Sequence, residues 1–293
     1  MKPTDIVIVG AGPAGIRAAQ TLVAYGLQPC LIDESLRGGG QIYRRQPENF
    51  KRSTKALYGF EASKAEAVHS TLDGLRNEID YRPETLVWNA ESQTLDTLCN
   101  GVAAQVPYKH LIVATGATDR ILPVPGWTLP GVTGLAAATA MMKGDMMLPG
   151  RRVLVAGAGP LLPFVAHEIH RHGGTVVAVA DLNSRRDWLG TWRGMLRRPD
   201  LMARGAAWVA RLKLAGIPVF NRHGIRRIIG NGRVERAEIG PVANDWSPIV
   251  GSPAESFEVD AVCLGHGLSP AIEATRMLDC RHIYDETTGG WQV

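Results

Sequence analysis

The chain has 293 residues, is 45% hydrophobic and 20% charged, and so can bury a sizeable core, with two domains the starting expectation. Its net charge of +4 is too mild to imply nucleic acid, and no apolar run approaches the ~18 residues that suggest a membrane span. The four cysteines, Cys30, Cys99, Cys263 and Cys280, stand far apart without a C-x-x-C spacing, which argues against a metal site or dithiol pair and suits a reducing compartment.

The first strand-like run begins by Asp5, leaving no room for a signal peptide, so the cytosol is the expected location. Asp5-Ile6-Val7-Ile8-Val9 leads into Gly10-Ala11-Gly12-Pro13-Ala14-Gly15, a G-x-G-x-x-G triplet, and residues 16–25 read as a helix. Strand, tight turn and helix is the context in which such a triplet marks a dinucleotide site. Gly10 permits the turn, Gly12 lets the backbone approach a diphosphate, and Gly15 lets the helix pack on the sheet. The helix then offers unpaired N–H groups and its positive dipole end to phosphates. A second strand, residues 29–32, ends in Asp33-Glu34. Glu34, by its distance along the chain from Gly10, is the acid expected to hold ribose hydroxyls.

Beyond that acid, Gly38-Gly39-Gly40 precedes Gln41-Ile42-Tyr43-Arg44-Arg45 and reads either as a flavin-side loop or as a mobile surface loop. Residues 53–77 read as helical, and 79–106 as a small β-meander broken by Pro83, Asn89, Asn100 and Gly101. His110 to Ala117 is another buried strand ending in small residues; Pro123, Pro125, Gly126, Pro130 and Gly131 then mark a domain boundary. The opening pattern recurs with strand 152–156, Gly157-Ala158-Gly159-Pro160-Leu161-Leu162, a helix to His172, and a strand 175–180 ending at Asp181. The interval from Gly157 to Asp181 equals that from Gly10 to Glu34. Leu162 replaces the third glycine, which should push the helix slightly off the sheet or require a repacked contact. The second copy is either a functional nicotinamide-dinucleotide site or a Rossmann unit kept for structure alone. Asp181 would repel a 2′-phosphate and so favours NAD, while Arg185 and Arg186 work against that preference.

From Asp187 to Leu214 the chain is helical and basic, with Trp188, Trp192, Met195, Leu201, Met202, Trp208 and Leu212 between arginines. It reads either as a sheet-covering helix pair or as a docking surface for a partner or lipid. Strands are expected at 217–220 and as a hairpin around Gly230-Asn231-Gly232. A last buried strand, 257–264, ends in Gly265-His266-Gly267 and suggests a return to the first domain; His266 reads as a packing residue rather than a proton carrier.

Taken together, the two glycine turns, Ala114-Thr115-Gly116-Ala117 and the Gly265 to Pro270 strand resemble the two-dinucleotide-binding flavoproteins of the pyridine nucleotide–disulfide oxidoreductase superfamily. The resemblance implies an α/β fold of two Rossmann-like three-layer domains, the second inserted into the first. It places an FAD-binding domain at 1–120, an NAD(P)-binding domain at 121–259, and an incomplete return to the first at 260–293. It implies FAD at Gly10, Gly12, Pro13, Ala14, Gly15, Glu34, Gly40, Gln41, Thr115 and Gly116, NAD(P) at Gly157, Gly159, Pro160 and Asp181, and a cofactor contact at Gly265 on the returning strand, with no metal and no assignable catalytic side chain. Gly39 to Arg44 stands where disulfide reductases carry a cysteine-bearing helix, so dithiol chemistry is not expected. Thr115 to Arg120, Pro125 to Val132 and Leu264 to Gly267 are similar to α subunits of heteromeric opine oxidases, hydrogen cyanide synthases and proline or hydroxyproline dehydrogenases. That narrower resemblance implies an FAD-dependent oxidoreductase using NAD(P), with a small-molecule substrate and a β subunit carrying a second flavin site. The alternatives are a stand-alone NAD(P)H:acceptor reductase and a non-catalytic assembly subunit. Family members continue with a strand that closes over the flavin, whereas this sequence stops at Gly289 to Val293. It therefore reads as a truncated chain, or as one that holds FAD weakly.

Overall fold

The computed structural model describes residues 4–184, 186–187, 199–287 and 289–293. The fold is α/β, in two compact units. One comprises Met1–Thr118, Lys143–Asp145 and Ser269–Val293, and the other Asp119–Met142 and Met146–Leu268.

The first unit is built on a six-stranded sheet. Strands β1 (Thr4–Val9), β2 (Cys30–Ile32) and β3 (Asp80–Arg82) run parallel, as does the end of β6 (Val102–Val113) beside β1. The earlier part of β6 pairs antiparallel with β5 (Thr94–Cys99), and β5 with β4 (Thr85–Glu91), giving the order β3-β2-β1-β6-β5-β4. Alternate residues of the central strands serve different layers. Ile8 and Leu31 meet Ile16 and Ala19 of α1 (Pro13–Ala24) and Val68 and Leu72 of α3 (Ala62–Leu75). Val7, Cys30 and Ile32 meet Ala90, Leu95 and Val106 of the meander. Burial on both faces is why these strands read as unbroken apolar runs. The expected helix over 53–77 is broken. Ser53 caps α2 (Thr54–Tyr58), accepting the Ala56 N–H at 3.2 Å, and one 3₁₀ turn at Gly59–Glu61 leads into α3. The meander turns at Ser92-Gln93 and Asn100-Gly101, all four at positive φ, as tight hairpins require.

Short strands β7 (Ala117–Asp119) and β16 (Leu268–Pro270) pair with each other. The second unit holds a parallel sheet formed by β8 (Val132–Gly134), β9 (Arg152–Gly157), β10 (Thr175–Asp181), β11 (Val219–Asn221) and β15 (Ala261–Gly265), in the order β11-β10-β9-β15-β8. One face packs Val153, Val155 and Cys263 against α4 (Leu135–Ala140), α5 (Leu161–Arg171) and Leu212 of α6 (Pro199–Leu214). The other packs Leu154, Ala156, Val262 and Leu264 on an antiparallel sheet of β12 (His223–Ile229), β13 (Arg236–Pro241) and β14 (Glu255–Glu258). The return expected at residue 260 falls later. All five residues of β15 are buried between β9 and β8, and the chain leaves this unit only after Leu268. The chain closes with α7 (Glu273–Met277) and the hairpin β17 (Ile283–Asp285) with β18 (Gly290–Gln292).

Within α6, Trp208 packs on Phe164 with ring centroids 5.1 Å apart and Leu212 is buried, as a sheet-covering helix requires, while Leu201 and Met202 are exposed. Trp188, Trp192, Met195 and Arg185 lie outside the described residues.

Asp119 supplies the cap that α4 lacks. Its N-cap is Gly134, and the Asp119 carboxylate accepts the Ala136 N–H at 3.0 and 3.1 Å and the Ala137 N–H at 3.2 Å. A side chain at 134 would collide with that carboxylate. Asp119→Ala is expected to cost about 1–2 kcal/mol of stability in urea unfolding, the value of a lost N-cap. An unchanged midpoint would show the cap to be energetically idle.

Candidate functional site

The first glycine turn is closed on its protein side and open on the other. Gly10 takes φ +106°, and a Cβ there would collide with the Ala114 carbonyl oxygen. At Gly15 a Cβ would collide with the Gly10 carbonyl oxygen, so α1 sits directly on the turn. Gly12 has only the Gly40 Cα near the direction its Cβ would take, at 3.7 Å. Gly12 and Pro13 are half-buried and Ala14 is exposed. Helix α1 starts at Pro13 with no side-chain cap and no acid in its first turn. Its orphan amides and positive dipole end are therefore available to an anion.

The glycine triplet beyond β2 is packed against this turn. A side chain at Gly38 would collide with Leu72, and one at Gly39 (φ +134°) with the Tyr43 carbonyl; a Cβ at Gly40 (φ +65°) would stand 2.9 Å from the Gly12 Cα. The Gly39 N–H donates to the Ala11 carbonyl at 2.8 Å. This places Gly40 against the first glycine turn, with Gln41 next along the chain. Thr115 and Gly116, exposed at the end of the neighbouring strand, are tied to Ala271: the Thr115 hydroxyl donates to its carbonyl at 3.1 Å, and its N–H to the Gly116 carbonyl at 3.0 Å.

The acid engaged at the turn is Asp33, which spacing along the sequence does not single out. It is buried, and its carboxylate accepts the Ala11 N–H at 2.5 Å and the Ser35 N–H at 2.8 Å. Glu34, the expected ribose acid, stands one position on and is exposed. The equal intervals that paired Glu34 with Asp181 hide a difference in register. Val9 pairs with Ile32, which sets Gly10 level with Asp33. The second unit begins at the same offset, Val153 with Val176, but β10 then carries a bulge, after which Gly157 pairs with Asp181, one position further along. The register partner of Asp181 is therefore Asp33. A single-residue bulge leaves the sequence pattern unchanged and so could not be read there.

The second turn repeats the first with one change. A side chain at Gly157 (φ +141°) would collide with the Gly265 carbonyl, which also accepts the Ala158 N–H at 2.8 Å. Gly265 thus does for this turn what Ala114 does for the first. Gly159 (φ +101°) has nothing within 4 Å of where its Cβ would be, and Pro160 is exposed. Leu162 is fully buried among Leu135, Val155 and Val165, so the contact is repacked. The helix entry is tighter too: the Leu162 N–H bonds the Gly159 carbonyl three positions back, whereas Ile16 reaches four back to Gly12. Asp181 is buried, with Oδ1 accepting the Asn183 N–H at 2.9 Å and side-chain amide at 3.1 Å, and Arg186 is exposed.

His266 is a packing residue. Its Nδ1 accepts the Leu122 N–H at 3.2 Å, its backbone N–H donates to the Arg120 carbonyl, and burial lowers its pKa, so the ring is neutral at pH 7. All four cysteines are free, and burial pushes the Cys30 and Cys263 thiols up to about 12, which removes thiolate chemistry there. Among the described residues there is no metal-ligand cluster, and no helix is long and apolar enough to cross a membrane.

The residues at both turns fit a dinucleotide: a Cβ at Gly12 or at Gly159 would meet no side chain within 4 Å, and each turn is edged by a buried acid. Comparison with known proteins agrees. A family model described as "Pyridine nucleotide-disulphide oxidoreductase" matches residues 4–283. Hydrogen cyanide synthase subunit HcnB of Pseudomonas protegens is 31% identical over 282 residues, 96% of this chain and 60% of that protein. A subunit of opine oxidase from Rhizobium meliloti is 28% identical over 288 residues, 94% of this chain and 52% of that protein. Among solved structures, L-proline dehydrogenase from P. horikoshii superposes with a TM-score of 0.65 at 20% identity, covering 99% of this chain and 46% of its own, and so shares the fold. The chain spans between about half and three fifths of these curated relatives.

Proposed function

We propose, from the premise that the chain belongs to the pyridine nucleotide-disulphide oxidoreductase family of FAD- and NAD(P)-dependent enzymes, that its first unit holds FAD and its second NAD(P). We further propose that it is the electron-handling α subunit of a heteromeric dehydrogenase for an amine, opine or imino acid. The named relatives, which are subunits of hydrogen cyanide synthase and opine oxidase, support that narrower reading. The observation that carries the proposal is the pair of glycine turns, each open toward its ligand side and closed by backbone on the other. When bound, the flavin supplies the two-electron chemistry that no side chain here can. The chain's own part is positioning. Amides at the start of α1 would take the first diphosphate, and the turn at Gly157–Gly159 the second. Asp181, a buried acid, would accept a 2′-hydroxyl and disfavour a 2′-phosphate, which favours NAD.

The test is a visible absorption spectrum of the purified chain, with FAD reconstitution if needed, before and after anaerobic NADH. Flavin bands that bleach support the reading; absence of bands after reconstitution overturns it. The register supports Asp33, rather than Glu34, as the ribose acid of the first unit. Asp33→Asn should weaken FAD binding at least about tenfold, as loss of a charge-assisted hydrogen bond would, while Glu34→Gln changes it less than about twofold. Equal losses in a fluorescence titration would return the role to Glu34 or divide it.

A further inference from the structure

Three successive carbonyls of the loop after the glycine triplet are each held by a side chain from a different element. Ile42 O accepts from Lys143 Nζ at 2.9 Å, Tyr43 O from His69 Nε2 at 2.8 Å, and Arg44 O from the Tyr58 hydroxyl at 2.8 Å. A carbonyl only accepts, so His69 Nε2 carries the proton. The stem of Arg44 is confined as well, since a Cβ at Gly144 would stand 2.9 Å from its Cδ. Its Nη2 donates to Gln41 Oε1 at 3.0 Å.

That last bond sets a polarity. A guanidinium has donors and no acceptor, so the Gln41 atom facing it is the oxygen. The carboxamide nitrogen is left as the end available to another molecule. Gln41 is exposed and follows Gly40, whose backbone packs on Gly12 of the diphosphate turn. A loop ordered by this many side chains, presenting one exposed amide of defined polarity beside a cradle, has the properties of a preorganised binding wall.

We propose that Arg44 is a positioning residue that holds Gln41 with its amide nitrogen outward, as a hydrogen-bond donor to an acceptor oxygen of the flavin nucleotide. The proposal rests on the reading of the first unit as the FAD site and adds to it a residue that acts on the ligand only through its neighbour.

The experiment is a fluorescence-quenching titration of the full chain with FAD, for wild type, Gln41→Ala, Arg44→Ala, the double variant and Arg44→Lys, with apo-protein melting temperatures confirming that each folds. Gln41→Ala should bind FAD about tenfold more weakly, and Arg44→Ala about three- to tenfold, as expected for one hydrogen bond. The double variant should be no weaker than Gln41→Ala, and Arg44→Lys, again a donor without an acceptor, should restore most of the affinity. If removing Arg44 costs as much without Gln41 as with it, or if all variants match wild type, the proposal is overturned. A wild-type chain that takes up no FAD overturns the site reading and this inference with it.

Discussion

Gly15→Ala is expected to cost the chain about 3 kcal/mol and to leave it colourless on purification, the cost being that of an unrelieved overpacked contact. The added methyl would meet the Gly10 carbonyl oxygen, with Ile8 Cγ2 at 3.4 Å on its other side. The first obstacle is backbone, so no side-chain rotation relieves it, and α1 must lift from the turn. Lifting α1 carries its first amides away from where a diphosphate would rest, so stability and FAD retention should fall together. Gly74→Ala is the control: it lies within α3 with nothing within 4 Å, and should be neutral or stabilise by up to about 1 kcal/mol. A Gly15→Ala chain that melts with wild type and stays yellow would show that the close approach of α1 is dispensable.

Gly157→Ala should separate the two cofactors. The residue combines φ +141°, a conformation that L side chains rarely adopt, with a collision against the Gly265 carbonyl. Strain of this kind costs about 1–3 kcal/mol, and with the collision added, NADH-driven bleaching of bound FAD should slow about 100-fold. FAD content should be unchanged, because Gly157 lies in the second unit. Gly159→Ala, also at positive φ (+101°) but with open space around it, should be milder. Stopped-flow reduction of FAD-loaded chains at several NADH concentrations would check both. Equal rates in Gly157→Ala and wild type would mean that electrons enter by a route other than the second turn.

What could be read from the residues was whatever depends on short-range pattern. The runs Val7 to Val9, Leu111 to Val113 and Val153 to Ala156 are apolar without a break because strands buried on both faces need both residue parities apolar, and they form the strands expected. Gly10 and Gly157 were legible because positive φ and backbone collision leave glycine alone acceptable there. Asp33 was not, because its importance lies in strand register. The bulge near Val177 makes the interval from Gly157 to Asp181 equivalent to the shorter one from Gly10 to Asp33, and a count along the chain cannot reveal it. The helix break at Gly59 and the membership of β15 escaped for the same reason: both are settled by what packs alongside. The capping of α4 by Asp119, and the bonds from Lys143, His69 and Tyr58 to one loop, join residues far apart in the chain. By itself, then, the sequence determined the two glycine turns, the strands that lead into them and the family, all consequences of local backbone sterics and burial periodicity. Only the tertiary structure decided that Asp33 rather than Glu34 edges the first turn, and which side chains hold the loop beside it, because register and long-range hydrogen bonds exist only once the chain has closed on itself.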